Sequence, residues 1–196
     1  NNAINYKNAY YPHGIPSTAP GHTGLSTGVT PHYHGIIANS WCNPDGQKIT
    51  ADSDDSINAA VINPKGGYYD YAKGPCHIMV DSLSDQFALS SQPNTPRTAL
   101  SLSMKSRSAI CTANKKGKAI WFDIHTGCFT SSKAYYQELP EWLITFNKEK
   151  NLSELKQVTW DLVYPRKSCA YKFIDIDNYQ YASKPSIVGK TSIIDH

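Results

Sequence analysis

The stretch Thr18-Ala19-Pro20-Gly21-His22-Thr23-Gly24-Leu25-Ser26-Thr27-Gly28 constrains this chain more than any other. A hydroxyl residue, a proline two positions on and a glycine at the far end predict a helix: Thr18 as N-cap, Pro20 in the first turn, Gly28 as the stop. The first N–H groups of such a helix are unpaired and carry partial positive charge. Thr18 therefore stands where an anion, or an alkoxide forming on its own oxygen, is favoured. It can bind phosphate there, attack it, or only cap the helix.

Upstream, an aromatic start broken by Pro12, Gly14 and Pro16 reads as a strand end and a loop that delivers Thr18. Downstream, Thr30-Pro31 opens a turn, and the apolar run Ile36-Ile37-Ala38 leads into Asn39. Residues 42–75 are rich in Asn, Asp, Gly, Pro and Lys, with strands expected only at 49–51 and 59–62, and are expected as a surface excursion.

The core resumes at 80–91, where Val80, Leu83, Phe87 and Leu89 fall near helical spacing after start signals at Asp81 or Ser82. Residues 98–104 read as a strand that feeds Lys105-Ser106-Arg107. Residues 119–123 and 128–131, joined by His125-Thr126-Gly127, predict a hairpin. Pro140 and Glu141 start a helix that runs to about residue 150, and 151–157 is expected as a further short helix. The tyrosine-rich tail from Thr159 has no clear period.

Three separated features could meet on one phosphoryl group. Thr18 is the first. Asn39, 21 positions later (39 − 18), is the second; its amide can donate to an oxyanion. The third is Lys105-x-Arg107, whose cations would share one side of a strand exit. The terminal phosphoryl of a monoester carries nearly two charges on three oxygens, which suits paired cations better than a diester does. Taken singly, a Lys-x-Arg is also the pattern of a solvated strand edge, and an asparagine after an apolar run is also a turn residue.

In that order, Asn8-Ala9-Tyr10-Tyr11-Pro12-His13-Gly14, Thr18-Ala19-Pro20-Gly21-His22-Thr23 and Thr30-Pro31-x-x-His34-Gly35-Ile36-Ile37-Ala38-Asn39-x-Trp41 resemble the nucleophile region of the alkaline phosphatase superfamily. The resemblance is strongest to its PafA-like, phosphate-irrepressible branch, beside the type I phosphodiesterase and nucleotide pyrophosphatase group. It continues through Ser103-Met104-Lys105-Ser106-Arg107, Trp121-Phe122-Asp123 and Leu139-Pro140-Glu141-Trp142, as far as about Tyr164.

The resemblance implies an α/β fold, part of a three-layer α/β/α sandwich with a mainly parallel sheet and a small antiparallel hairpin. Residues 1–196 would form a single, incomplete domain, with the clamp strand, hairpin and helix at 98–150. Thr18 would be the nucleophile, phosphorylated in the reaction and touching zinc, and Asn39, Lys105 and Arg107 would bind the non-bridging oxygens. Two zinc ions are expected in a complete member, with a small phosphate ester or inorganic phosphate as partner and a periplasmic or secreted location.

Residues 1–17 contain no Asp or Glu, whereas the family takes a zinc-binding aspartate from a strand before the nucleophile. Asp195-His196 has the residue types of one later ligand motif in poorly matching surroundings, so this chain alone is expected to lack most of the zinc site. His32-x-His34 has no nearby third ligand or carboxylate and reads as structural. Alternatives are a phosphodiesterase or nucleotide pyrophosphatase, and a non-catalytic, anion-binding relative. Sulfatase chemistry is disfavoured, because threonine cannot yield the formylglycine aldehyde.

Composition removes other classes. Nineteen Lys and Arg against 16 Asp and Glu give a net charge of +3 with no basic run, so nucleic-acid binding is not indicated. No stretch approaches the length of an apolar membrane span. The five cysteines form no C-x-x-C pair, which argues against a structural zinc site, and their odd number leaves at least one thiol free.

Overall fold

A computed structural model describes Ile4, Lys7, Asn8 and residues 10–149. The short helix expected at 151–157, the tail, Cys169 and Asp195-His196 lie outside the described residues.

Helix α1 spans Thr18–Thr27 and ends on Gly28, whose φ of 74° closes the last turn with an N–H to the Gly24 carbonyl. Its N-cap is Ser17 rather than Thr18, which takes the first helical position. The helix begins one residue earlier than expected, which puts Pro20 at the third helical position, still in the first turn, where a missing N–H removes no intrahelical bond. No strand precedes α1 within residues 10–17, where two prolines remove ladder donors.

A one-turn helix, α2 (Pro31–His34), ends on Gly35 at φ 80°. A Cβ added there would lie 2.8 Å from Met79, whose N–H donates to the His34 carbonyl, so glycine is required by both backbone angle and space.

Strands β1 (Ser40–Cys42) and β2 (Lys48–Thr50) form a hairpin. Then β3 (Ser53–Asp54) and β4 (Ala60–Ile62) flank β5 (Tyr68–Lys73) in an antiparallel sheet. Segment 42–75 is therefore not a surface excursion alone. Ala51, Val61 and Ile62 enter the core, and β4 joins the rest of the fold through Ile62 N–H to the Ser131 carbonyl and Lys133 N–H to the Ala60 carbonyl. Three tyrosines, of which Tyr69 and Tyr71 stack on one face, favour a strand at β5 despite the polar composition around it.

Helix α3 (Leu83–Leu89) starts on a Ser82–Asp85 capping box. Its apolar residues do not form the buried face: Leu83 and Leu89 are exposed, while Asp85 is fully buried.

The centre of the fold is a strand–helix–strand unit. Strand β6 (Leu100–Ser103) runs parallel to β7 (Lys118–Asp123), with α4 (Ser106–Ala113) between them in sequence, and β8 (Cys128–Thr130) returns antiparallel from the Gly127 turn as expected. Helix α5 (Glu141–Glu149) follows Pro140. Strand β7 is covered on both faces. Ala119 and Trp121 pack with Ala109, Ile110 and Ala113 of α4, and Ile120 packs with Leu139 and Leu143 of the α5 segment. Helix, sheet and helix are thus layered, an α/β arrangement. Among the described residues the parallel character rests on β6 and β7, and the other strand pairs are antiparallel.

Candidate functional site

Thr18 is half-buried at the start of α1, and the Asn39 side chain reaches it from the end of the 36–39 run. Asn39 Oδ1 accepts the Ala19 N–H at 2.8 Å. Pro20 has no N–H, and that of Gly21 goes to the Ser17 carbonyl. The helix mouth is thus mostly satisfied from within, so its backbone is a weaker anion site than the sequence suggests. Its most useful donor becomes the Asn39 amide nitrogen, because the oxygen is the atom turned onto the helix.

Lys105 and Arg107 are not two residues of a strand. The strand stops at Ser103, Lys105 is the extended N-cap of α4, and Arg107 lies in its first turn, so alternation along a pleat does not align them. They still meet, because the bend between cap and helix lets both line a cavity of about 250 Å³ with Lys73, Ser106, Asp123 and His125. The Lys105 side chain makes no capping bond. Arg107 Nε is buried without a hydrogen-bond partner among the described residues.

Beneath this turn lies a group that spacing did not disclose. The Asp52 carboxylate is 1 % exposed; its Oδ2 accepts from Lys73 Nζ and from Ser106 Oγ, each at 2.6 Å, and Lys73 Nζ also donates to Ser106 Oγ at 2.6 Å. Burial alone would raise the Asp52 pKa, but the Lys73 ammonium, helped by the Ser106 hydroxyl and Arg107, outweighs it and holds the carboxyl below its ordinary value. The available signal was Ser106, a small hydroxyl residue between the two cations at a helix start.

Thr18 with Asn39, and Lys105 with Arg107, are therefore two pairs. Thr18 and Asn39 do not line the cavity of the cations. The pairs are linked by the packing of α1 on α4: Ala19 and Cys111 share a core cluster, and Ser26 Oγ donates to the Cys111 carbonyl at 2.8 Å. Cys111 is one helical turn beyond Arg107.

Two histidines border these pairs: His125 lines the cavity of the cations, and His22 Nδ1 lies 2.8 Å from the Thr18 carbonyl oxygen. His34 is fully buried and its Nδ1 accepts the Ile36 N–H, as befits a structural residue. Among the described residues no three His, Cys, Asp or Glu side chains are grouped to hold a metal ion. Thr18 alone, a single hydroxyl, does not fit a zinc site, which takes at least three protein ligands.

The sequence profile of the type I phosphodiesterase / nucleotide pyrophosphatase family matches residues 1–154. The chain belongs to this family. It is 28% identical over its whole length to alkaline phosphatase PhoV of Synechococcus elongatus, covering 34% of that protein. It is 31% identical to alkaline phosphatase PafA of Elizabethkingia meningoseptica, over 76% of this chain and 27% of that one. A crystal structure of wild-type PafA superposes with a TM-score of 0.67 at 28% identity, covering 85% of this chain and 30% of the PafA chain. The chain spans about a third or less of the length of these relatives.

Proposed function

We propose that this chain carries the nucleophile and phosphate clamp of a phosphate monoester hydrolase, part of a single domain whose complete form is zinc-dependent and periplasmic or secreted. Thr18 Oγ would form a bond to phosphorus as the bond to the leaving oxygen breaks, giving a phosphothreonine. Water would then displace the threonine, releasing inorganic phosphate, while the hydroxyl proton leaves with the alcohol product. Asn39 Nδ2, Lys105 and Arg107 would hold the non-bridging oxygens.

The observation that carries this proposal is Asn39 docked by its oxygen on the first turn that Thr18 opens, which leaves its amide nitrogen as the atom to donate to a ligand. A spacing argument supports it. A solved PafA variant is substituted at a threonine, at an asparagine 21 positions on and at a lysine and arginine two apart. Thr18, Asn39, Lys105 and Arg107 repeat those residue types and both spacings. Arg107 Nε, buried and unpaired among the described residues, is suited to an incoming acceptor. The donors for two zinc ions would have to lie outside the described residues.

The test is acid-quenched turnover of a chromogenic phosphate monoester by the protein, followed by peptide mass spectrometry. Phosphate on Thr18, abolished in Thr18→Ala and retained in Thr18→Ser, is expected. Phosphate on another residue would sink the assignment. The family profile, which describes phosphodiesterases, favours a second reading as a diesterase. Lys105→Ala with Arg107→Ala separates them, since a monoesterase should lose far more monoester than diester turnover. Stoichiometric zinc by metal analysis is expected where turnover is seen. Neither zinc nor turnover in the 196-residue chain would favour a non-catalytic anion-binding role.

A further inference from the structure

We infer that Asp52 is a positioning residue for the phosphate clamp, locking the Lys105–Ser106–Arg107 turn in place through Lys73 and Ser106. This rests on the clamp proposed above and adds the reason its geometry is fixed.

Three cations, Lys73, Lys105 and Arg107, face one cavity. Unopposed, they would repel one another and spread. Asp52 neutralises one of them, at 2.6 Å from Lys73 Nζ, so Lys105 and Arg107 are the cations left to meet an anion, with the Asp123 carboxylate on the same wall as an opposing charge. The same carboxylate oxygen accepts from Ser106 Oγ. Ser106 is the residue between the two clamp cations, so fixing its side chain fixes the backbone from which both project.

The anchor is itself rigid. Asp52 follows Ala51, which is fully buried, and its carbonyl accepts the Gly74 N–H. Lys73 is held by the pairing of β3 with β5, where it stands opposite Ser53. His125 and Asp123 also line the cavity, but Asp123 is engaged by Tyr69 and Thr126 at 2.6 Å each. Asp52 is therefore the carboxylate bonded to the clamp turn. Preorganised donors of this kind act without reorganisation when the anion arrives.

The test is calorimetric binding of inorganic phosphate to the protein, with folding checked by circular dichroism. Ser106→Ala should weaken binding by roughly threefold to tenfold, and Asp52→Asn by at least as much. Ser106→Thr should restore it. The losses should be non-additive with Arg107→Ala, because they act through that residue's placement; a merely structural role would give additive losses and overturn the inference. Wild-type affinity in folded Ser106→Ala, or tighter binding in Asp52→Asn, would also overturn it and leave the clamp standing. No phosphate binding by the wild-type protein, or full binding by Lys105→Ala/Arg107→Ala, would instead overturn the clamp, and the positioning role with it.

Discussion

Asn39 accepts the Ala19 N–H through its side-chain oxygen at 2.8 Å, so one amide serves the helix with its oxygen and leaves its nitrogen for a ligand. The two jobs separate by substitution. Asn39→Asp keeps the acceptor and loses the donor, and should melt near the wild type while binding phosphate much more weakly. Asn39→Ala loses both, and should also cost about 1 kcal/mol of stability, the usual value of a helix cap. Thermal melting with phosphate titration checks the pair.

Asp85 should be worth more than any apolar residue of its own helix. Its carboxylate accepts from the Ser82 N–H and hydroxyl and from the N–H groups of Lys115 and Lys116, at 2.7 to 3.1 Å. Asp85→Ala strands these donors and should cost about 2–4 kcal/mol. Leu83→Ser, at a position 77% exposed, should change stability by less than about 0.5 kcal/mol. Urea denaturation of both variants tests the contrast.

Stability should fall with acid in two windows. Burial, with His13 nearby, pulls the His34 pKa below its ordinary value. The unfolded chain therefore takes up that proton first, and stability is lost as pH drops below about 6.5. Asp52 and Asp123 are both held below the usual carboxylate value, for Asp52 because Lys73 outweighs burial and for Asp123 because its Thr126 and Tyr69 hydrogen bonds do. Their contribution is complete above the unfolded value near 4 and is lost as pH falls through that range toward the folded one. Melting temperature against pH should show the first window removed in His34→Gln and the second reduced in Asp52→Asn.

Gly35→Ala should be disproportionately harmful for one added methyl. It meets a φ of 80° and a Met79 side chain 2.8 Å away, and should cost about 1–3 kcal/mol. A further substitution, Met79→Ala, should recover only the steric part.

Local signals were legible where a single residue's chemistry decides. Gly28 stopped α1, Ser82 opened α3, Gly127 turned β7 into β8, and Pro140 opened α5. What failed depended on neighbours distant in sequence. Periodicity placed Leu83 and Phe87 on one face of a helix but could not say that the packed side would be Asp85, whose partners lie at 115 and 116. The polar look of 42–75 hid Val61 and Ile62, which are buried against residues from 109 onward. Lys105 and Arg107 were visible as a pair, whereas the Asp52–Lys73 bridge beneath them joins positions 21 apart and leaves no local trace.

That bridge gives the short β3–β5 ladder a significance out of proportion to its two residue pairs, Ser53 with Lys73 and Asp54 with Ala72. Side chains alternate along a strand, so a slip of one residue would swing Lys73 to the opposite face. Insertions near residue 65, at the exposed bend before β5, should be harmless. A single residue added between Asp52 and Ser53, or next to Lys73, would disconnect the carboxylate from the ammonium and let go of the turn that both cations ride on.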